Sequence, residues 1–216
     1  MIEAVLLDLD GTLADTAPDL GAALNALLLE NGRPTVDLAH ARRLTSSGAR
    51  GMIMAGFGID PGHPDYPRLQ SRFLDLYEGA VCVGTRLFPG MDELLNTLES
   101  RRIAWGIVTN KAGRFTTPLV AALGLDKRAA CIVSGDTTPR LKPAPDSLLH
   151  AAASIGIAAP KCLYVGDDLR DIQAARAAGM PVLAAAYGYL GDGDSPERWG
   201  ADALVSSALE ILDHLG

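Results

Sequence analysis

The feature that most constrains the fold is an alternation along the chain. Short apolar runs at Ala4–Asp8, Ile103–Thr109, Ala130–Ser134, Cys162–Val165 and Val182–Ala185 are separated by helically spaced segments at Met91–Ser100, Phe115–Leu123, Asp146–Ser154 and Ile172–Ala178. Strands this apolar are buried on both faces, and their alternation with helices predicts a parallel sheet covered on both sides. The expected class is therefore α/β, a Rossmann-like sheet. The rhythm breaks once, between Asp15 and about Arg86, where only helical patterns occur. "TAPDLGAALNALLLENG" offers Thr16 as N-cap, Asp19 three residues on, and Leu20, Ala23, Leu24, Leu27 and Leu28 on one face before Asn31-Gly32. "PRLQSRFLDLYEG" repeats the style with Leu69, Phe73, Leu76 and Tyr77. The expected organisation is a core of residues 1–14 and 87–216, with residues 15–86 inserted as a helical cap over the sheet's carboxyl edge. That edge is where open α/β sheets bind ligands.

The strand ends carry the chemistry. "VLLDLDGTLADT" runs three apolar residues into Asp8 and adds Asp10 two positions later. If the extended conformation persists, the two carboxylates share a face, where they repel and are costly to bury without compensation. "WGIVTNK" ends in Thr109, Asn110 and Lys111, "CLYVGDD" ends in Gly166, Asp167 and Asp168 with Asp171 following, and "LKPAPD" places Lys142 in a proline-rich loop. In a parallel sheet these ends converge on one crevice. Oxygen ligands in small number suit a hard divalent cation, Mg²⁺, which would offset the repulsion.

Bulk properties narrow the ligand. Of the 216 residues 48% are hydrophobic, enough for a full core, and the net charge is −7 with no basic run or stripe, which argues against nucleic acid. An anionic ligand must be held by a few local cations. The three cysteines, Cys82, Cys131 and Cys162, lie among apolar residues and suit reduced thiols in a cytoplasmic protein. His40, His63, His150 and His214 lack ligand spacing, so no zinc site is expected. No basic n-region precedes the first strand and no apolar run is long enough to span a bilayer. No extended apolar stripe marks an interface, so a monomer or weak homodimer is expected.

Taken together, Asp8 to Thr12 (Asp-x-Asp-Gly-Thr), Thr109, Lys142 before a proline, and Gly166 to Asp171 (Gly-Asp-Asp-x-x-Asp) resemble the haloacid dehalogenase superfamily of phosphotransferases. The resemblance implies that Asp8 attacks phosphorus and forms an aspartyl-phosphate. Asp10 would act as general acid and then general base. Asp8, the Asp10 carbonyl and Asp167 would hold Mg²⁺, with Asp168 and Asp171 as competing further ligands; Asp171 would alternatively orient Lys142 or cap the helix that follows. Thr109 would grip phosphate oxygens and Lys142 would offset their charge, with Thr12, Asn110 and Lys111 around the substrate. A second carboxylate after the nucleophile would be idle in a dehalogenase, and residues 15–86 contain no lysine for a phosphonate hydrolase.

Substrate choice would fall to the insertion. In "TSSGARGM", Ser-Ser-Gly before a helix offers backbone N–H groups at Gly48, and Arg50 offers a fork for a carboxylate or second phosphate; the bland alternative for Arg50 is a surface arginine. Across nearly the whole chain the resemblance is closest to the phosphoglycolate-phosphatase-like branch. Within that branch "GAR", "WGIVTNKAGRF", "VGDDLRDIQAARAAGM", "YGY" and "WGAD" are similar to phosphatases of N-acetylmuramic acid 6-phosphate. Both substrates are small esters bearing a phosphate and a carboxylate, so Arg50 suits either. A phospho-acceptor module shares clustered carboxylates, a Thr and a Lys, but needs neither Asp10 nor a cap. A phosphomutase would need a bisphosphate.

Overall fold

The computed structural model describes residues 1–190 and 195–216. In chain order the elements are β1 (Ala4–Leu7), β2 (Ala14–Asp15), α1 (Ala17–Glu30), α2 (Leu38–Leu44), α3 (Gly48–Phe57), α4 (Tyr66–Glu78), β3 (Arg86–Leu87), α5 (Met91–Ser100), β4 (Ala104–Val108), α6 (Gly113–Ala122), β5 (Cys131–Val133), α7 (Asp146–Ser154), β6 (Cys162–Gly166), α8 (Leu169–Ala178), β7 (Val182–Ala185) and β8 (Ala203–Val205). Six strands form one parallel sheet in the order β5-β4-β1-β6-β7-β8. The chain builds outward from β1 through β4 to β5, then returns to β6 on the other side. The switch point therefore lies between β1 and β6, which places a crevice at their carboxyl ends.

Strand alternation explains how both faces are buried. Val5, Leu7, Trp105, Ile107, Leu163, Val165, Leu183 and Ala185 pack with Leu94, Leu95 and Leu98 of α5 and Leu119 of α6. Ala4, Leu6, Val108, Cys162, Tyr164, Val182 and Ala184 pack with Leu148 and Ala151 of α7 and Ile172 and Ala175 of α8. Each strand serves two cores, so apolar residues at successive positions are required.

A third cluster belongs to α1–α4, in which Leu24, Leu27, Leu28, Met52, Ile53, Leu69, Phe73 and Tyr77 are buried. Phe115 from α6 enters this cluster, so the helices also pack on the sheet domain. The chain enters and leaves the helical segment through β2 and β3, which pair antiparallel as a two-stranded ribbon. This ribbon and β8 lie outside the expected strands, because two or three residues are too few to show a period. The first strand also stops earlier than expected, at Leu7, with Asp8 just beyond it.

Thr16 stands at the N-cap position of α1, but its side chain makes no capping bond. Its hydroxyl donates to Asp10 Oδ1 at 2.5 Å instead, and Tyr189 Oη accepts the Thr16 and Ala17 N–H groups at 2.7 and 2.9 Å. Asp19 does not complete a capping box. Its carboxylate accepts from the N–H groups of Val83, Gly84 and Thr85 and from the Thr85 hydroxyl, clamping the outgoing chain to the start of α1. Among the described residues no helix is long and apolar enough to cross a membrane.

Candidate active site

A cavity of about 310 Å³ lies between the carboxyl ends of β1, β4 and β6 and the helical segment. Asp8, Asp10, Thr109, Asn110, Lys111, Lys142, Asp167, Asp168 and Asp171 line it from the sheet side, with Gly48 among the residues on the helical side. Most of the residues singled out from sequence thus meet in one place.

The acidic cluster is built around Lys142. Its ammonium lies 2.9 Å from Asp8 Oδ1 and 2.6 Å from Asp171 Oδ1, and it donates to Tyr164 Oη at 2.8 Å. Burial works against its charge, but Asp171 and Asp8 more than offset this and hold it above the usual lysine range. Burial pushes the Asp8 carboxyl up to about 7, with Lys142 pulling the other way and Asp171 and Asp10 adding to the rise. Asp167 is raised well above the ordinary carboxylate range by burial and by the charges of Asp8 and Asp171. One oxygen each from Asp8, Asp167 and Asp171 lie within 4.8 Å of one another. Such a set, with protons favoured only because nothing stronger balances the charge, fits a small divalent cation.

Asp167 is held in place by Thr12 Oγ1 at 2.9 Å and by the Tyr189 N–H at 2.9 Å. Space for it depends on Gly11, whose φ is +86° and where a Cβ would fall 2.1 Å from Asp167 Oδ2. Only glycine satisfies both conditions.

Asp10 lies across the crevice with a different set of partners. Lys111 Nζ stands 2.8 Å from its Oδ1, the same atom that accepts the Thr16 hydroxyl, and Oδ2 has no partner among the described residues. Lys111 is itself buried, and Asp10 and Tyr77 outweigh that burial to keep its charge above the usual range.

Several expected site residues have other roles here. Thr12 is fully buried behind Asp167 and does not line the cavity, so it supports the carboxylate rather than touching a substrate. Asn110 reaches the wall, but its amide is paired in both directions with the Lys142 backbone, at 2.9 and 3.0 Å, which fixes the loop carrying Lys142. Lys111 addresses Asp10. Asp168 caps α8 and accepts the Arg170 guanidinium through both oxygens, while Asp171 completes the capping box as its third helical residue. Asp171, then, is neither the N-cap nor a free acid. Arg50 is exposed and absent from the cavity wall, where Gly48 takes the helical side. Arg170, which the sequence did not single out, lines the cavity and donates to the Ser46 carbonyl at 2.6 Å, tying the sheet domain to the turn before α3.

A buried lysine–carboxylate cluster at the switch point of a parallel α/β sheet, closed by inserted helices, suits an enzyme that handles a phosphoryl group. The chain belongs to the haloacid dehalogenase-like hydrolases, whose family model matches residues 5–185. It is 42% identical, over 99% of its length and 95% of the relative, to N-acetylmuramic acid 6-phosphate phosphatase of Pseudomonas aeruginosa. It is 47% identical, over 97% of its length and 95% of the relative, to phosphoglycolate phosphatase of Xanthomonas campestris pv. campestris. Among solved structures it is similar to a predicted phosphoglycolate phosphatase from Haemophilus somnus, with a TM-score of 0.87, 24% identity and coverage of 100% of this chain and 98% of that one.

Proposed function

We propose that this phosphatase hydrolyses a small carboxylate-bearing phosphate monoester, N-acetylmuramic acid 6-phosphate, through a phosphoryl group carried on Asp8. The observation that carries the substrate is the cavity. At about 310 Å³, with Leu20, Phe73, Leu74 and Phe115 in its wall, it exceeds what a two-carbon acid needs and offers apolar surface for a sugar face. The Pseudomonas relatives are named for that substrate. The second reading, 2-phosphoglycolate, draws on the higher identity to the Xanthomonas relatives.

In this mechanism Asp8 Oδ attacks phosphorus while Asp10 Oδ2 delivers a proton to the departing oxygen. Asp10 then takes the proton of the water that hydrolyses the aspartyl-phosphate. Lys142 offsets charge on the transferring group and keeps Asp8 aimed, with Asp171 holding Lys142 from behind. Thr109, buried just beyond β4 and lining the cavity, would donate to a phosphate oxygen. Mg²⁺ held by Asp8, Asp167 and Asp171 would supply charge neutralisation for the incoming phosphate. The α1–α4 segment acts as the cap, excluding water when it closes over the crevice.

Turnover of the two esters by the purified enzyme with Mg²⁺, compared as kcat/KM, tests the assignment. A preference for N-acetylmuramic acid 6-phosphate is expected, and a clear preference for 2-phosphoglycolate would replace it.

A further inference from the structure

Tyr77 occupies α4 with a side chain only 1% exposed, and it lines the cavity. Its ring is fixed from two directions, by Phe115 at a centroid distance of 5.4 Å and by Lys111 Nζ, 4.8 Å from the ring centre. Neither contact takes up the hydroxyl's proton. Lys111 approaches the hydroxyl oxygen closely enough to stabilise it, but an ammonium can only donate, and no acceptor among the described residues stands at hydrogen-bond geometry to the Tyr77 hydroxyl. Ser46 Oγ, in the same cavity wall, is likewise buried and unpartnered.

Such hydroxyls are uncommon, because a buried donor without a partner destabilises the fold, and phenylalanine would fill the Tyr77 site without that penalty. The location says what the hydroxyl is for. Lys111, which sits on the Tyr77 ring, also binds Asp10. Tyr77 therefore stands on the Asp10 side of the cavity, where the alcohol departs, and not among the groups that hold phosphate. Burial pushes its phenol up to about 12, so it is a neutral donor at any physiological pH.

We infer that Tyr77 is a specificity-determining residue whose hydroxyl donates a hydrogen bond to a polar oxygen of the leaving alcohol. The enzyme then selects esters whose alcohol carries hydroxyl, ether or amide oxygens close to the phosphate, over esters of plain hydrocarbon or aryl alcohols. This inference rests on the phosphatase reading above and deepens it. A site that hydrogen-bonds its substrate discriminates strongly against an analogue lacking the group, since the protein donor is then left unsatisfied.

The test is Tyr77→Phe, assayed with Mg²⁺ on N-acetylmuramic acid 6-phosphate and on phenyl phosphate. The ratio of kcat/KM for the sugar ester to that for phenyl phosphate is expected to fall about tenfold, the loss of one hydrogen bond. An unchanged ratio, whether both rates fall together or neither moves, would overturn the inference, because the ring would then act through Lys111 or through packing. Thermal unfolding provides an independent reading. The variant is expected to melt at or above the wild-type temperature, whereas a clear drop would show that the hydroxyl is bonded within the protein. Failure of the wild-type enzyme to hydrolyse either ester would sink the phosphatase reading instead, and the melting comparison would still decide the state of the hydroxyl.

Discussion

Lys111 Nζ lies 2.8 Å from Asp10 Oδ1, inside the cavity that Asp8, Lys142 and Asp167 also line. A lysine at a phosphatase mouth is expected to meet the phosphate, and this one meets Asp10, the proposed acid–base residue. With Thr16 on the same oxygen, the pair turns Oδ2 toward free chemistry. Lys111→Met should therefore impair proton transfer more than binding. The expected outcome is a fall in kcat of about 10- to 100-fold on an alkyl phosphate, whose alcohol leaves poorly, and a clearly smaller fall on p-nitrophenyl phosphate. Steady-state kinetics on the two esters checks this, and an equal fall would return Lys111 to substrate binding.

The acidic cluster ties stability to metal and pH. The unfolded chain sheds the Asp8 proton near 3.8, whereas burial holds it in the metal-free folded state to about 7. Between those values the folded protein binds the extra proton, so metal-free stability declines as pH rises through the window. A cation must displace that proton, so its binding strengthens in the same direction. The rise in Tm on adding Mg²⁺ should be larger at about pH 7.5 than at about pH 5.5. An equal rise at both would place the metal elsewhere.

Arg170 rather than Arg50 connects the two halves of the cavity. Its Nη2 binds the Ser46 carbonyl at 2.6 Å while its Nε and Nη2 hold Asp168. Removing that tie loosens the closed arrangement for every substrate alike. Arg170→Ala should raise KM severalfold on carboxylate-bearing and aryl phosphates together, the pattern of lost uniform binding. Arg50→Ala, altering an exposed residue outside the cavity, should move KM by less than about twofold on either. A selective loss of the carboxylate ester in Arg50→Ala would reinstate Arg50 as a substrate contact.

Asp19 closes the other junction. Four donors from Val83, Gly84 and Thr85 converge on its buried carboxylate. Asp19→Ala leaves those groups unsatisfied and should destabilise the fold by about 2–4 kcal/mol, read by denaturant unfolding. A loss below about 1 kcal/mol would mean that solvent replaces the carboxylate without penalty.

The sheet was legible in the sequence because β1, β4, β6 and β7 are buried on both faces and so are apolar at every position. β8 and the β2–β3 ribbon were not, since so few residues show no period. Asp8 and Asp167 could be picked out because charged groups at the ends of apolar strands have no packing explanation, whereas Lys142, in a proline-rich loop, stood out only in company with the other motifs. Thr12 and Asn110 share those loops, yet they turn inward to hold Asp167 and the Lys142 backbone, a distinction that depends on side-chain direction and leaves no trace in spacing. Tyr77 was hidden for the opposite reason. Its helical spacing with Leu69 and Phe73 marks it as core, and most of its ring is core; only the unpartnered oxygen tells of a second role.

In the proposed mechanism everything else depends on capture of the phosphoryl group by Asp8. The most direct measurement is acid quenching of the enzyme during turnover with Mg²⁺, followed by peptide mass spectrometry. A phosphoryl increment is expected on Asp8 and not on Asp8→Asn, a variant expected to stay folded without turning over. Full turnover by Asp8→Asn, or a phosphoryl group found on another residue, would contradict it.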